Sequence, residues 1–188
     1  MNKKNVWTAI ATILLPYLML LALALIFLST KLAFFEWIMQ FVFWNNALLL
    51  ILALLFCCIF VAILNVLCFI ANIRQKEDAL ALAKTAMIVK LTQIPAYVLI
   101  FVLGVLLLLT IFTIPFTIAL FFFDCACLFL SGLWVASSAI NAIRQGICKP
   151  QKTIWAIILQ FVFCADVVSS IVFYIMLKKS QKRRINVN

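Results

Sequence analysis

Long apolar runs recur along the chain, separated by short stretches that hold most of its charged residues. A helix needs roughly 20 apolar residues to cross the hydrocarbon core of a bilayer. One run, 91–140, is too long for a single helix, and residues 110–116 (TIFTIPF) divide it with Pro115 and two threonines. The pattern predicts five membrane spans, at about 7–28, 46–71, 91–109, 117–140 and 153–177.

A shorter apolar stretch, residues 31–45 (KLAFFEWIMQFVFWN), lies between the first two predicted spans. It is too short to cross a bilayer, and it mixes Lys31, Glu36 and Trp37 with phenylalanines. Tryptophan favours the headgroup region, so this composition is typical of a segment that lies in the membrane interface. The alternative is a simple extension of the second span.

Composition supports the membrane class. Of the 188 residues, 69% are apolar and 11% are charged, whereas soluble domains are about half apolar and a quarter charged. A soluble core of this length could not hide so much apolar surface. We therefore predict an all-α, polytopic transmembrane helical bundle that forms a single integral membrane domain.

The chain contains no histidine. This absence excludes His-ligated haem, most catalytic zinc sites and the Ser-His-Asp and Cys-His arrangements. The sequence also lacks a phosphate-binding loop and a CxxC motif. We therefore expect no cofactor, no metal site and no catalytic residue. A lipid-modifying enzyme is the remaining enzymatic alternative, and it would rest only on two aspartates and Cys148.

The net charge of +10 comes from lysines and arginines near the ends of the predicted spans. With five spans, nine basic residues lie on the side of the N-terminus, and Lys31 and the tail 178–184 place six on the other side. The excess favours a cytoplasmic N-terminus, although a re-entrant segment would bring both termini to that side. The basic loops suggest attraction to anionic lipid headgroups. We expect no nucleic-acid partner, and the lysine- and asparagine-rich ends suggest a bacterial cytoplasmic membrane.

A weak internal repeat links two parts of the chain. Residues 73–75 and 143–145 both read Ile-Arg-Gln, and Lys-Thr recurs at 84–85 and 152–153. The offsets predict duplicated hairpins, 46–109 and 117–177. Chance matches are easy in apolar sequence, so coincidence is the alternative.

Polar residues within the predicted spans are the candidate functional residues. Ionisable groups in a bilayer are costly and usually face the bundle interior. They include two aspartates with two serines beside one of them, an asparagine, and a lysine and glutamine on one face of the third span. These residues are Asp124, Asp166, Ser169, Ser170, Asn65, Lys90 and Gln93.

Two interpretations of this polar set remain open. Small and polar residues can hold membrane helices together through hydrogen bonds, or the aspartates can bind a cation or a proton. Lys90 lies at the predicted edge of its span, so we expect it to extend to the headgroups. Cys148 lies in a loop beside basic residues, a setting in which a thiol can be reactive or acylated.

The sequence favours a non-enzymatic membrane component or a subunit of a larger membrane complex. A partner membrane protein or a second copy of the chain would complete such an assembly. The alternative is a small ion- or proton-coupled transporter or channel that uses Asp124 and Asp166.

Overall fold

A computed structural model of the chain describes residues 3–109, 113–148, 150–162 and 165–185, without the side chains of residues 152, 161, 184 and 185. These residues are helical apart from short connections and contain no strand, which confirms the predicted all-helical class. The α-helices are α1 (Lys3–Leu28), α2 (Ala33–Phe43), α3 (Ala47–Arg74), α4 (Ala79–Leu108), α5 (Ile114–Arg144), α6 (Pro150–Ile158) and α7 (Ala165–Ile185).

Four of the described helices, α1, α3, α4 and α5, are long and apolar enough to cross a membrane. They correspond to the first four predicted spans. Helix α4 begins twelve residues before the predicted start at Leu91, because Asp78 caps its N-terminus. The Asp78 carboxylate accepts hydrogen bonds from the backbone N–H groups of Leu80 and Ala81, both at 3.3 Å.

The predicted interfacial segment forms α2, an apolar helix of 11 residues. Met39 is buried against the ends of α1 and α3. Trp37 and Phe41 stack on each other with their ring centroids 5.4 Å apart, and both are exposed. The helix therefore packs on the bundle by one side and presents aromatic rings on the other.

The fifth predicted span, 153–177, differs from a single continuous helix. Helix α6 passes into a short 3-10 helix (Leu159–Phe161), and Val162 then adopts an extended conformation. Helix α7 begins at Ala165. Periodicity alone did not reveal this interruption, since the residues on either side of it are as apolar as those of a span.

Helix α7 runs back toward the end of the bundle from which α6 starts. Phe173 and Leu177 are buried in a cluster with Ala79 and Ala83 at the start of α4. The clusters further along α4, around Tyr97 and Ile100, contain no described residue of α7. The segment from α6 to α7 is thus a re-entrant hairpin.

The re-entrant hairpin gathers the basic residues. We call the end of the bundle that holds the start of α1, the α3–α4 turn and residues 144–148 the basic end. Helix α7 carries the C-terminal lysines and arginines to this end too, while Lys31 lies at the opposite end. Five spans would divide the lysines and arginines between the two ends of the bundle. With the re-entrant hairpin, most of them lie at the basic end.

Helices α3 and α5 end in the same way at the basic end. After the C-cap residues Gln75 and Gln145, Lys76 and Gly146 adopt positive φ angles of 51° and 64°. The next N–H groups bond back to the carbonyls of Asn72 and Ala142, which completes a Schellman motif at each end. These matched ends agree with the repeat seen in the sequence, and the duplication itself stays a prediction.

Candidate functional site in the bundle interior

A buried ion pair joins α4 to the first turn of α7. The Lys90 Nζ lies 2.6 Å from Asp166 Oδ2, and the two side chains are 1% and 3% exposed. The expectation that Lys90 extends to the headgroups was therefore wrong. Helix α4 begins well before Leu91, which places Lys90 roughly 16 Å along the helix at 1.5 Å per residue, and α7 covers it there.

Asp166 lies where two favourable interactions coincide. It is the second residue of α7, so its negative charge faces the positive end of the helix dipole. The Lys90 ammonium supplies the second interaction. In a low-dielectric interior a carboxylate and an ammonium are both costly to bury, and close pairing offsets much of that cost. The pair thereby fixes the inner end of the re-entrant hairpin against α4.

The serines predicted to share a face with Asp166 tie the two arms of the hairpin together. Ser169 Oγ donates to the Ala156 carbonyl of α6 at 3.2 Å, and it accepts from Gln160 Nε2 at 3.3 Å. Ser170 Oγ donates within its own helix, to the Val167 carbonyl at 2.8 Å. Non-helical backbone at membrane depth needs such internal partners. Gln160 was not predicted from the sequence, although a single glutamine within an apolar run is a signal that the sequence shows.

Asn65 is the centre of a second polar cluster, which joins α1, α3 and α5. Its Nδ2 donates to Thr12 Oγ1 at 2.9 Å, and its Oδ1 accepts from Trp134 Nε1 at 3.0 Å. Gln93 of α4 is fully buried and donates to the Thr12 backbone carbonyl at 2.8 Å. Four helices therefore meet through these side chains. Thr12 and Trp134 were not predicted, because single polar residues on long helices do not reveal their distant partners.

Tyr97 of α4 lines the same cavity as Asp166. Its hydroxyl donates to Gln93 Oε1 at 3.2 Å, and its ring is buried beside Cys127. This cavity of about 330 Å³ is lined by Asp166, Val98 and Leu128 among others.

Asp124 has a different environment from Asp166. It lies in the first half of α5 and is partly exposed. Its Oδ1 is buried, and it has no hydrogen-bond partner among the described residues. The structure therefore brings Lys90, Gln93, Asp166, Ser169 and Ser170 into neighbouring positions in the interior, but it does not join Asp124 to them by a direct bond.

At the basic end, α5 holds the turn between α3 and α4. Asn141 Nδ2 donates to the backbone carbonyls of Asn72 and Glu77 at 3.0 and 3.1 Å. Arg144 Nη1 donates to the Ile73 carbonyl at 2.8 Å. The Arg144 bond satisfies a backbone acceptor that the end of α3 leaves open. Two residues at the end of α5 thus cap the end of α3 and the turn that follows it.

Cys148 is half-buried and packs against the cluster of buried residues at the basic end. Among the residues that the structure describes, no three His, Cys, Asp or Glu side chains are grouped so that they could hold a metal ion. Within the described part of the chain, the interior holds hydrogen bonds and one ion pair.

Comparison with known proteins places the chain in a family. Residues 7–182 match the model of a family described as "Family of unknown function (DUF6652)". The chain belongs to this family. No curated protein and no solved structure matches the chain. The family's description assigns no role to any of its residues, so the functional question rests on the geometry of the interior.

Proposed function

We propose that this family member is a non-enzymatic integral membrane component that works as a subunit of a larger membrane assembly. The observation that carries the proposal is the 2.6 Å pairing of Lys90 with Asp166 in the interior. The buried ammonium of α4 and the buried carboxylate of α7 are engaged with each other, as expected of residues that hold helices together.

Helix α3 offers a surface for the partner. It packs against α1 and α5 with one side. Only 11% of the residues in its most apolar 18-residue stretch are buried. Leu52, Phe56, Phe60 and Ile63 are each more than half exposed and follow one another at helical spacing. Such a stripe suits a helix of a partner protein or of a second copy of this chain.

Native mass spectrometry after gentle purification tests the assembly. We expect the wild-type chain to retain a second polypeptide at fixed stoichiometry. Phe60→Gln places a polar group on the exposed stripe of α3 and should release that polypeptide. Phe121→Gln is the matched control, since Phe121 is similarly exposed but lies on α5, and it should leave the complex intact. A strictly monomeric wild-type chain would contradict the proposal.

The double variant Lys90→Met with Asp166→Leu tests whether the ion pair is structural. Replacing a buried ion pair by apolar residues of similar volume is often neutral for stability or stabilising. The double variant should therefore fold and keep its partner. Loss of the partner with an intact fold would show that the two charges are needed for binding the partner.

A small ion- or proton-coupled transporter or channel is the second candidate. Two observations favour it: the buried Oδ1 of Asp124 without a partner among the described residues, and the helix interruption at the depth of Asp166. Transporter sites often use interrupted helices. Reconstituted vesicles should then show proton or cation flux that Asp124→Asn abolishes. Flux that is absent, or unchanged by this substitution, would remove this candidate.

We further propose that the basic end faces the cytoplasm of a bacterial cell. The positive-inside rule supports this orientation, since the lysines and arginines cluster at that end. The same residues would meet anionic headgroups. Reporter fusions after residue 185 and within residues 29–32 check it. The first should report a cytoplasmic location and the second an external one, and the reverse result would overturn the orientation.

A further inference from the structure

A groove of about 410 Å³ lies at the basic end between the start of α1 and the end of α3. Lys4, Asn5 and Trp7 line it from α1, and Leu64, Leu67 and Gln75 are among the residues that line it from α3. Neither Asn65 nor Asp166 lines it.

Asn5, one of the residues that line the groove, has a hydrogen-bond donor that the described residues leave unused. The residue is only 3% exposed, and its Oδ1 accepts from Cys68 Sγ at 3.1 Å. Cys68 Sγ in turn accepts from Asn72 Nδ2 at 3.5 Å. Asn5 Nδ2 is buried and has no hydrogen-bond partner among the described residues. A buried donor without an acceptor is unfavourable, so a ligand that brings an acceptor would be held there.

The groove changes in character along its length. Lys4 and Gln75 lie at the outer end, which belongs to the basic end of the bundle. Leu64 and Leu67 lie deeper, and Gln75 and Leu64 are roughly 16 Å apart along α3 at 1.5 Å per residue. Trp7 is 71% exposed, and tryptophan favours the membrane interface.

We propose that this groove binds one anionic phospholipid. The phosphate accepts a hydrogen bond from Asn5 Nδ2 and pairs with the Lys4 ammonium, while an acyl chain lies along Leu64 and Leu67. A partner helix fits these features less well, because its backbone carbonyls are already bonded within the helix and offer Asn5 no acceptor. The inference rests on the membrane placement of the chain and not on the proposed subunit role.

Native mass spectrometry of the full chain with added lipid tests the site. The probes are phosphatidylglycerol, phosphatidylcholine with the same acyl chains, and inorganic phosphate. We expect one phosphatidylglycerol to be retained about tenfold more tightly than phosphatidylcholine, the size of effect that a charge-assisted contact supports. Equal retention of the two lipids, or competition by inorganic phosphate at similar concentration, would overturn the proposal.

Three variants locate the site. Asn5→Asp keeps the oxygen that Cys68 needs but replaces the free donor by a charge that repels phosphate, and it should lower phosphatidylglycerol binding by about tenfold or more. Lys4→Gln should lower it less. Lys3→Gln is the matched control, since Lys3 is also exposed in the first turn of α1 but does not line the groove, and it should change nothing.

Leu67→Trp keeps the test decisive if Asn5→Asp fails to fold. Leu67 is 58% exposed, so a larger side chain is tolerated there, and it fills the apolar part of the groove without contact to Asn5. Phosphatidylglycerol binding should fall in a protein whose thermal unfolding is unchanged. Unchanged binding in the Leu67→Trp and Lys4→Gln variants would show that lipid binds elsewhere.

Discussion

The two halves of the bundle are packed in different ways. At the basic end, Ala79, Ala83 and Ala86 of α4 are at most 1% exposed and lie in one cluster with Ala139 and Ala142 of α5. At the opposite end, α1, α3 and α5 leave an apolar cavity of about 500 Å³. Lipid is as apolar as leucine, so membrane helices approach closely where small or polar residues allow it. Bulky side chains alone do not bring them together.

The two aspartates show the same contrast. Asp166 belongs to the closely packed half, where Lys90 and the start of α7 surround it. Asp124 lies toward the open half, with one carboxylate oxygen unpaired among the described residues. An aspartate therefore joins two helices in the closely packed half, whereas in the open half an aspartate keeps one oxygen free of hydrogen bonds to the described residues.

The largest expected difference in stability comes from replacing each of the two aspartates by asparagine. Asp166→Asn leaves the Lys90 ammonium buried without its partner, and removing one member of a buried pair costs about 3–5 kcal/mol. Asp124→Asn replaces a poorly partnered carboxylate by a neutral amide, so the free energy of unfolding should change by less than about 1 kcal/mol. Thermal or denaturant unfolding in detergent micelles measures both. Equal effects would show that the two halves do not differ as described.

Enlarging an alanine in each half tests the packing itself. Ala86→Leu inserts three carbons into the filled cluster and should cost about 1–3 kcal/mol of unfolding free energy. Ala119→Leu adds the same atoms to a residue that lines the large cavity, so it should be neutral or slightly stabilising. The same unfolding measurement applies, and a costly Ala119→Leu would mean that the cavity is closed in the membrane.

The cluster around Asn65 should contribute a smaller amount. Asn65→Ala removes the bonds to Thr12 and Trp134 and should lower the unfolding free energy by about 1–2 kcal/mol. Ser29→Ala, at the opposite end, removes only a bond to the Ile26 carbonyl and should have almost no effect. If both variants unfold at the same temperature, the polar cluster does not hold α1, α3 and α5 together.

The smallest effects are expected at the two matched helix ends. Gly146→Ala puts a side chain at a φ of 64° and should cost about 1 kcal/mol. Lys76→Gly relieves a non-glycine residue at a φ of 51° and should stabilise by up to about 1 kcal/mol. Opposite shifts in the unfolding midpoint would confirm the shared geometry, whereas shifts of the same sign would contradict it.

Some of the interior could be predicted from local spacing. Asp166, Ser169 and Ser170 were grouped because helical neighbours three and four positions apart share a face, and all three are buried. Lys90 and Gln93 were placed on one face for the same reason. The partners across helices could not be found in this way. Lys90 and Asp166 are 76 positions apart, and periodicity carries no information about which helices meet.

The sequence by itself determined the membrane class, the helical state and four of the long helices, since these depend on composition and on the length of apolar runs. The tertiary structure alone decided that the last apolar run turns back. A run of that length and polarity is compatible with a span or with a hairpin. The choice depends on whether buried partners exist for its polar groups, and here Lys90 and Ala156 provide them. The same reversal gathers the basic residues at one end.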